Sequence, residues 1–411
     1  MKSKFINFFK IFTGKIPGQL IIQITNCCNG TCPQCGMKKS AKIKRYILST
    51  DVIKTMIDQC AVYGFEAVSF TGGEPFIDES RLFELLDYAG KVKIPFLRTG
   101  TNGFMFLKSN TAYITDFVKR LSLTKLRNFW ISLDSADTET HETMRGLPGV
   151  IAGIKLALPV FHAYGIYPAV NLGINRNILG DTISELKGTD DRERFFNNFK
   201  KGFMAFFQKA IDLGFTMANV CYPMSSDNSE LEISAYGAIS DNFIVSFSEE
   251  ELSLVFKALM ETIPIFRSKI RIFTPLSVLY AMSNENDSLL FPCMGGINFF
   301  YADSRNGYIY PCGFLGEKDL GEDLRSAISI GSRKKPHCMK CYWECFRDPS
   351  QLFSIAHYVI NHPIRVFFKK KVDPMMIKFW IEDLNYYLKH DFFNGRIPFK
   401  WYLGDQKVIK Q

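Results

Sequence analysis

The sequence of 411 residues lacks the features that mark membrane and secreted proteins. It contains no uninterrupted run of about 18 or more apolar residues, so no membrane-spanning helix is predicted. The first 20 residues contain no Asp or Glu, and they lack the apolar core of about 7 to 15 residues that a signal peptide requires. These absences predict a cytoplasmic protein, with peripheral attachment to a membrane as the remaining alternative.

Acidic residues are scarce at both ends of the chain. Residues 1–20 contain four lysines and no acid, and residues 361–411 contain ten Lys or Arg against five acids. The two ends therefore account for the whole net charge of +9. Both contain aromatic residues and are interpreted either as solvated tails with aromatic docking points or as contacts for a membrane surface or another polyanion. No nucleic-acid partner is expected.

The odd number of cysteines argues against a framework of disulfides. Nine of the eleven lie in two groups, within residues 27–35 and 293–345. Such groups in a large chain favour metal binding in a reducing compartment. Of the other two, Cys60 falls on the apolar face of a predicted helix, and Cys221 closes a predicted strand. Both are expected to be packed rather than reactive.

The first group contains the triplet Cys28-x3-Cys32-x2-Cys35. A [4Fe–4S] cluster normally takes four thiolates, so three thiolates on one short loop leave one iron open to a ligand that is not protein. Zinc knuckles and ferredoxin fragments use similar spacings, so spacing alone does not name the metal. Cys27 offers the rival spacing C-x4-C-x2-C.

A glycine-rich turn, Thr71-Gly72-Gly73-Glu74-Pro75, follows the apolar run 67–70. With these two motifs in this order, the chain resembles the radical S-adenosylmethionine (SAM) superfamily. The resemblance implies that the cysteine triplet holds a [4Fe–4S] cluster, that SAM binds the open iron, and that the loop Gly72-Gly73-Glu74 receives the SAM amino group. It also implies that an electron from a flavodoxin or ferredoxin drives cleavage of SAM to a 5'-deoxyadenosyl radical, which removes a hydrogen from the substrate.

Further SAM contacts follow from the same resemblance. Ser132 and Asp134 are expected near the SAM ribose, with Asn171 and Asn175 as weaker candidates. Arg145 either pairs with the SAM carboxylate, which suits a guanidinium, or is a surface arginine.

Two positions in this region leave the assignment open. Asn102 is either a SAM contact or only a turn residue before Gly103. The family usually has an aromatic before the third cysteine, whereas this chain has Gln34, so the adenine contact is expected from the backbone alone. No chemistry is assigned to His141.

Strand-like and helical segments alternate through the first half of the chain, which favours a parallel sheet. The catalytic loops of such a βα fold lie at the carboxyl ends of the strands. The resemblance implies a partial six-stranded (β/α)6 barrel of the TIM type over residues 18–222. The strands are predicted at 67–70, 95–97, 129–133, 169–173 and 215–220, and a Phe-rich helix is predicted within 178–210.

The second cysteine group resembles the SPASM and Twitch extensions that hold auxiliary [4Fe–4S] clusters in radical SAM enzymes. A full SPASM extension uses seven cysteines, and five here predict one auxiliary cluster and the shorter, Twitch-like form. A structural zinc is the alternative. A hairpin strand with a glycine turn is predicted at 307–312. Cys345 either replaces one of four leading ligands or is free; those four are Cys293, Cys312, Cys338 and Cys341.

These features divide the chain into five predicted regions. They are a basic amphipathic segment (1–17), the SAM core (18–245), a helical linker (246–289), the SPASM/Twitch-like extension (290–350) and a basic aromatic helical tail (351–411).

No residue identifies the substrate. A small molecule or lipid is expected, since one Twitch-type cluster and the basic aromatic tails suit it; the aromatic runs are 367–371 and 399–401. The alternative is a peptide- or protein-modifying maturase. Only 27 residues precede Cys28, which is too few for a separate leader-peptide-binding domain. A non-catalytic iron–sulfur or zinc protein is the third hypothesis. The polar run 225–228 is placed where a substrate loop could lie.

Overall fold

A computed structural model describes residues 18–39, 44–107, 110–188, 191–223, 225, 237, 239–284, 289–314, 320–361 and 372–399. Several predictions concern segments outside these residues. They are the basic N-terminal segment, the basic run 367–371, positions 400 and 401, and the polar loop apart from Ser225.

Nine strands form one sheet in the order β7-β6-β5-β4-β3-β2-β1-β8-β9. Neighbours from β7 to β8 pair in parallel, and β9 pairs with β8 in the antiparallel sense. Within the described residues β7 and β9 do not pair, so the sheet is open, as in a partial barrel. The strands are β1 Gln19–Thr25, β2 Ala67–Gly72, β3 Phe96–Thr101, β4 Leu126–Ser132, β5 Ala169–Gly173, β6 Met217–Cys221, β7 Arg271–Ile272, β8 Phe299–Ala302 and β9 Ile309–Tyr310.

Helices follow most strands and cover the sheet. They are α1 Gly36–Lys39, α2 Thr50–Val62, α3 Glu79–Lys91, α4 Thr111–Leu123, α5 Thr138–Arg145, α6 Val150–Ala163, α7 Arg192–Leu213, α8 Glu249–Phe266, α9 Leu276–Met282, α10 Leu324–Ser332, α11 Glu344–Asn361 and α12 Pro374–His390.

The periodic patterns explain these elements. Every residue of β1 is buried, as expected for a central parallel strand covered on both faces. Helix α2 buries Ile53, Met56, Ile57 and Cys60, which recur at helical spacing, so the packed role of Cys60 is confirmed. The Phe-rich helix is confirmed as α7.

Each of the five predicted strands overlaps an observed one, and β5 has the predicted bounds. Strands β2 and β3 continue past the predicted ends, through Gly72 and Thr101. The polar and glycine residues at these ends obscured the apolar pattern, although the backbone pairing continues.

The segment 246–289 contains helices α8 and α9, as its helical prediction requires, and also the unpredicted strand β7. A capping box of Ser248 and Glu251 starts α8. Strand β7 has only two residues, which is too short for a periodic signal. It lengthens the sheet beside β6.

The C-terminal extension joins the same sheet. Strand β8 pairs with β1, and β9 returns beside β8 through a turn in which Gly307 has a φ of 75°. Glycine suits this turn because L side chains rarely adopt positive φ. The predicted hairpin with a glycine turn is therefore confirmed.

Among the described residues, no single helix combines the length and apolarity needed to cross a membrane. The consecutive helices α5 and α6 are bent by 103° at their junction. Taken together they meet the criteria for a membrane span in length and composition only. Most of α6 is buried in the fold.

Candidate active site

The loop that follows β1 carries the cysteine triplet and is fixed at several points. Asn26 accepts a hydrogen bond from the backbone N–H of Tyr46 at 2.7 Å and donates to the carbonyl of Lys44 at 3.0 Å. The N–H of Thr31 donates to the carbonyl of Arg145 at 2.9 Å. The loop is therefore tied both to the segment before α2 and to the end of α5.

Cys28, Cys32 and Cys35 line one cavity of about 270 Å³, which we call the rim cavity because the carboxyl ends of the strands surround it. Cys27 does not line it, and its carbonyl accepts the N–H of Glu74 at 2.8 Å. The geometry thus favours the C-x3-C-x2-C set. The strand ends at the cavity are Gly72, Thr101, Ser132, Gly173 and Cys221.

The turn after β2 touches the cysteine loop so closely that it requires glycine. A Cβ at Gly73 would lie 2.1 Å from the carbonyl oxygen of Cys27 and 2.8 Å from Cβ of Cys28. A Cβ at Gly72 would lie 2.5 Å from the carbonyl oxygen of Thr25. The two glycines therefore let the backbone of this turn pack directly against the end of β1 and the cysteine loop.

Glu74 connects the turns after β2 and β3. Its Oε1 accepts the N–H of Phe76 at 3.1 Å, and its Oε2 accepts the N–H of Asn102 at 2.7 Å. Burial raises the pKa of Glu74 to about 7. Because both oxygens bond to backbone groups, Glu74 braces the site while it lines the cavity.

Asn102 makes a turn contact, one of the roles predicted for it, and it also reaches the cysteine loop. Its Oδ1 accepts the N–H of Phe104 at 3.0 Å, which is a turn contact. Its Nδ2 donates to Oδ1 of Asn29 at 2.9 Å, next to the cysteine triplet. Asn102 therefore holds the cysteine loop as well as its own turn.

A buried ion pair lies beside the triplet. Arg145 donates from Nε to Oδ2 of Asp134 at 2.7 Å and from Nη2 to Oδ1 at 2.9 Å. Burial opposes ionisation of Asp134, but the Arg145 guanidinium still lowers the pKa of this carboxyl below its ordinary value. His141 accepts the N–H of Asp134 through Nδ1 at 3.1 Å. Arg145 is thus no free surface arginine, and among the hydrogen bonds of the described residues none uses its Nη1.

Ser132, Asn171 and Asn219 stand on adjacent strands, where Ser132 pairs with Asn171 and Asn171 with Asn219. All three line the rim cavity. Asn175 does not line it and donates from Nδ2 to the carbonyls of Asp134 and Gly173, both at 2.8 Å. Asn175 therefore acts as a backbone brace, unlike the ribose contact expected for it.

The rim cavity also contains residues that sequence reasoning missed. Arg98 lies within β3, and its guanidinium carbon stands 5.3 Å from the ring centre of Trp130. Trp343, Glu344 and Cys345 reach the cavity from the C-terminal extension. A charged residue inside a buried strand, as Arg98 is, was the available signal. Cys345 was already a candidate ligand of the second cysteine group, whereas Trp343 and Glu344 gave no signal.

Four cysteines of the second group line a smaller cavity, which we call the thiol cavity; they are Cys293, Cys312, Cys338 and Cys341. The N–H of Cys293 donates to the carbonyl of Cys338 at 2.8 Å, which joins the two ends of the group. Burial raises the pKa of Cys341 to about 12. The buried Arg347 donates from Nη2 to the carbonyl of Cys341 at 2.8 Å and places a positive charge beside the thiols.

Cys345 does not line the thiol cavity, although it was considered as a replacement ligand. Its thiol donates to Oε1 of Glu344 at 3.3 Å and faces the rim cavity. Throughout the part of the chain that the structure describes, no group of three or more His, Cys, Asp or Glu side chains is arranged to hold a single metal ion.

Comparison with known proteins shows what the chain is similar to. Residues 22–189 match the model of the radical SAM superfamily. This part of the chain is a radical SAM domain. It is 21% identical to an AdoMet-dependent heme synthase of Methanosarcina barkeri over 303 residues, which are 73% of this chain and 77% of the relative. It is 25% identical to the subtilosin biosynthesis protein AlbA of Bacillus subtilis over 159 residues, 39% of this chain and 34% of that one.

Two solved structures have a similar fold. A structure of Streptococcus suis SuiB bound to SAM matches with a TM-score of 0.52 at 17% identity, over 82% of this chain and 74% of SuiB. The anSMEcpe structure with bound AdoMet and Cp18Cys peptide matches with a TM-score of 0.50 at 14% identity, over 91% of this chain and 96% of that one. The open, mainly parallel sheet is therefore a radical SAM fold. Four further curated relatives are matched over about half of their own length or less.

Radical SAM enzymes use a [4Fe–4S] cluster and SAM. The rim cavity fits these groups, because three thiols line it beside the glycine turn. Three cysteine thiolates are the protein ligands expected for a [4Fe–4S] cluster that has one iron left open.

Proposed function

We propose that this radical SAM enzyme removes a hydrogen from a small molecule bound in the rim cavity, with an auxiliary [4Fe–4S] cluster in the thiol cavity. The observation that supports the proposal is that one cavity is lined by the cysteine triplet at strand β1 and by Trp343 and Glu344 of the extension. A substrate in that space would contact both parts of the chain.

When bound, the cluster and SAM supply the 5'-deoxyadenosyl radical. Cys28, Cys32 and Cys35 would hold the cluster, and the backbone at Gly72 and Gly73 would accept the SAM amino group. Asp134 keeps Arg145 in place through two hydrogen bonds, which leaves Nη1 of Arg145 for the SAM carboxylate. Ser132 and Asn171 would contact the ribose.

The thiol cavity would hold the auxiliary cluster through Cys293, Cys312, Cys338 and Cys341. A cluster with four protein ligands has no open iron, so it relays electrons and does not bind substrate. Arg347 would offset the negative charge of the thiolates. A flavodoxin- or ferredoxin-type protein is the proposed electron donor.

A small-molecule substrate is supported by the match to the AdoMet-dependent heme synthase. That alignment covers 303 residues, 73% of this chain, so it extends past residue 289 into the extension wherever it begins. The match to the subtilosin biosynthesis protein spans 159 residues, and peptide modification is therefore the second candidate.

The experiment is SAM cleavage by anaerobically reconstituted protein reduced with dithionite. We expect release of 5'-deoxyadenosine, and no release from a variant in which Cys28, Cys32 and Cys35 are all alanine. Rates are then compared with pools of small metabolites and with a peptide pool. If only the peptide pool stimulates release of 5'-deoxyadenosine, the substrate is a peptide and the second candidate replaces the first. If the reconstituted wild type releases no 5'-deoxyadenosine, the whole proposal is wrong.

A further inference from the structure

Two thiols that belong to neither proposed cluster lie in the rim cavity. Cys221 is the last residue of β6, and its Sγ donates to Oδ1 of Asn171 at 3.3 Å. Cys345 is the second residue of α11, and its Sγ donates to Oε1 of Glu344 at 3.3 Å. Cys221, which the sequence predicts to be packed rather than reactive, is only partly buried and lines the cavity.

Glu344 lies with these thiols. The residue is 8% exposed, and its Oε2 has no hydrogen-bond partner. It lines the rim cavity with Cys221, and it also lines a second cavity of about 420 Å³ at the amino ends of the strands. Cys345 is shared by the two cavities as well. A buried carboxylate with a free oxygen thus stands beside two thiols.

The surroundings keep both thiols protonated. Burial, followed by the Glu344 carboxylate and Cys345, raises the pKa of Cys221 far above that of an ordinary thiol. Burial and Glu344 do the same for Cys345. Metal ligation and nucleophilic attack require a thiolate, so these positions are poorly suited to both. A protonated thiol retains the S–H bond, which is weaker than most C–H bonds.

We propose that Cys221 donates a hydrogen atom to the carbon radical that forms in the rim cavity, and that Glu344 and Cys345 are positioning residues for this step. The inference rests on the proposed function, because it needs a radical to be generated there. Asn171, the predicted ribose contact, lies in direct contact with the Cys221 thiol and places it on the SAM side of the cavity.

The S–H bond of Cys221 breaks homolytically, the hydrogen atom forms a C–H bond on the carbon radical, and a thiyl radical remains on sulfur. One electron from the flavodoxin- or ferredoxin-type reductant and one proton passed through Glu344 restore the thiol. Because the thiol hydrogen exchanges with solvent before it is transferred, the product carbon receives a hydrogen that comes from solvent.

The test uses reconstituted protein in D₂O with SAM and dithionite, without added thiol or substrate, and mass spectrometry of the 5'-deoxyadenosine. In wild type we expect deuterium in the product, taken from the exchanged thiol. Cys221→Ser and Cys221→Ala should lower the deuterated fraction several-fold. Cys60→Ala is the matched control, because Cys60 is fully buried in the core, and should leave the fraction unchanged.

The positioning residues give a different result. Glu344→Gln and Cys345→Ser should retain deuterium in the first turnover but slow later turnovers, because return of the proton is impaired. Deuterium that does not depend on Cys221 would overturn this inference and leave the proposed function standing. Absence of 5'-deoxyadenosine from the wild type would overturn both.

A second readout does not depend on turnover. The infrared S–H stretching bands assigned to Cys221 and Cys345 by their serine variants should persist at pH about 9.5, one unit above the pKa of about 8.5 of an ordinary thiol. Loss of the Cys221 band at that pH would overturn the inference. Iron content and SAM binding equal to wild type show that each variant is folded.

Discussion

The two cysteine sites differ in how their thiols are enclosed. At the rim cavity, three thiols on one loop face a space shared with residues from five strand ends and from the extension. At the thiol cavity, four thiols surround a small space closed by Trp343, Phe346 and backbone. Three ligands and an open side suit a reactive centre, whereas four ligands and a closed one suit electron transfer.

The two sites are also supported differently. Buried charges brace the rim cavity, through Glu74 between two turns and through the pair of Asp134 and Arg145. The thiol cavity depends on the hairpin and on Arg347, which bonds to backbone carbonyls. We therefore expect the rim cavity to be more sensitive than the thiol cavity to changes of charge and pH.

The largest expected effect separates Cys28 from its neighbour. Cys28→Ala should abolish SAM cleavage, because Cys28 lines the rim cavity. Cys27→Ala should retain it, because the contact of Cys27 with the turn after β2 uses its backbone carbonyl. The measurement is release of 5'-deoxyadenosine by anaerobically reconstituted protein. Equal loss in both variants would show that the cysteine loop holds the cluster in the rival spacing.

Iron counts test the closed site. Cys341→Ala should lower iron from about eight to about four atoms per chain, because it removes one of four thiolates. Cys345→Ala, four positions later, should leave about eight. Iron and sulfide are measured after reconstitution. If the Cys341 variant keeps its full iron content and the Cys345 variant loses half, then Cys345 and not Cys341 is the cluster ligand.

The ion pair beside the triplet provides the next effect. Arg145→Met should lower the free energy of unfolding by about 3 to 5 kcal/mol, since it leaves the buried Asp134 carboxylate uncompensated. It should also weaken SAM binding. The control is Arg120→Met in the more exposed pair with Glu79, which should cost about 1 kcal/mol or less.

Urea unfolding and equilibrium dialysis with SAM measure these two quantities. Adding Asp134→Asn to Arg145→Met should recover part of the stability, because no uncompensated charge then remains. No recovery in the double variant would contradict this account of the pair.

The smallest expected effect is on the stability of the fold at acidic pH. Burial lowers the pKa of His141 to about 4, and its Nδ1 must stay unprotonated to accept the N–H of Asp134. The unfolded chain therefore binds the proton more readily, and stability present above pH about 6.5 is lost as pH falls towards 4. His141→Gln should remove this pH dependence, which amounts to at most about 3 kcal/mol in the free energy of unfolding.

Unfolding measured between pH 4 and 7 tests this expectation. His162, whose pKa burial also lowers to about 4, lines neither cysteine site and is the matched control. His162→Gln should flatten the stability curve similarly without altering SAM cleavage. An unchanged slope in the His141 variant would refute its role.

Much of the site could be predicted because the signals are local. The triplet and the glycine turn are short motifs, and alternating apolar patterns locate the strands that carry Ser132 and Asn171. Arg98 and Glu344 escaped prediction because they reach the rim cavity from a strand interior and from a distant helix. Their role depends on packing between segments far apart in sequence.

The sequence by itself determined the cysteine triplet, the order of strands and helices, and the presence of two separate thiol groups. Only the tertiary structure decided that Cys341 and Cys345 serve different cavities. Cys341 lies in the irregular segment before α11, whereas Cys345 lies in the first turn of that helix, so their side chains leave the backbone in different directions. The spacing of the two cysteines along the chain does not specify the directions of their side chains, because those directions are set when the helix packs against the sheet.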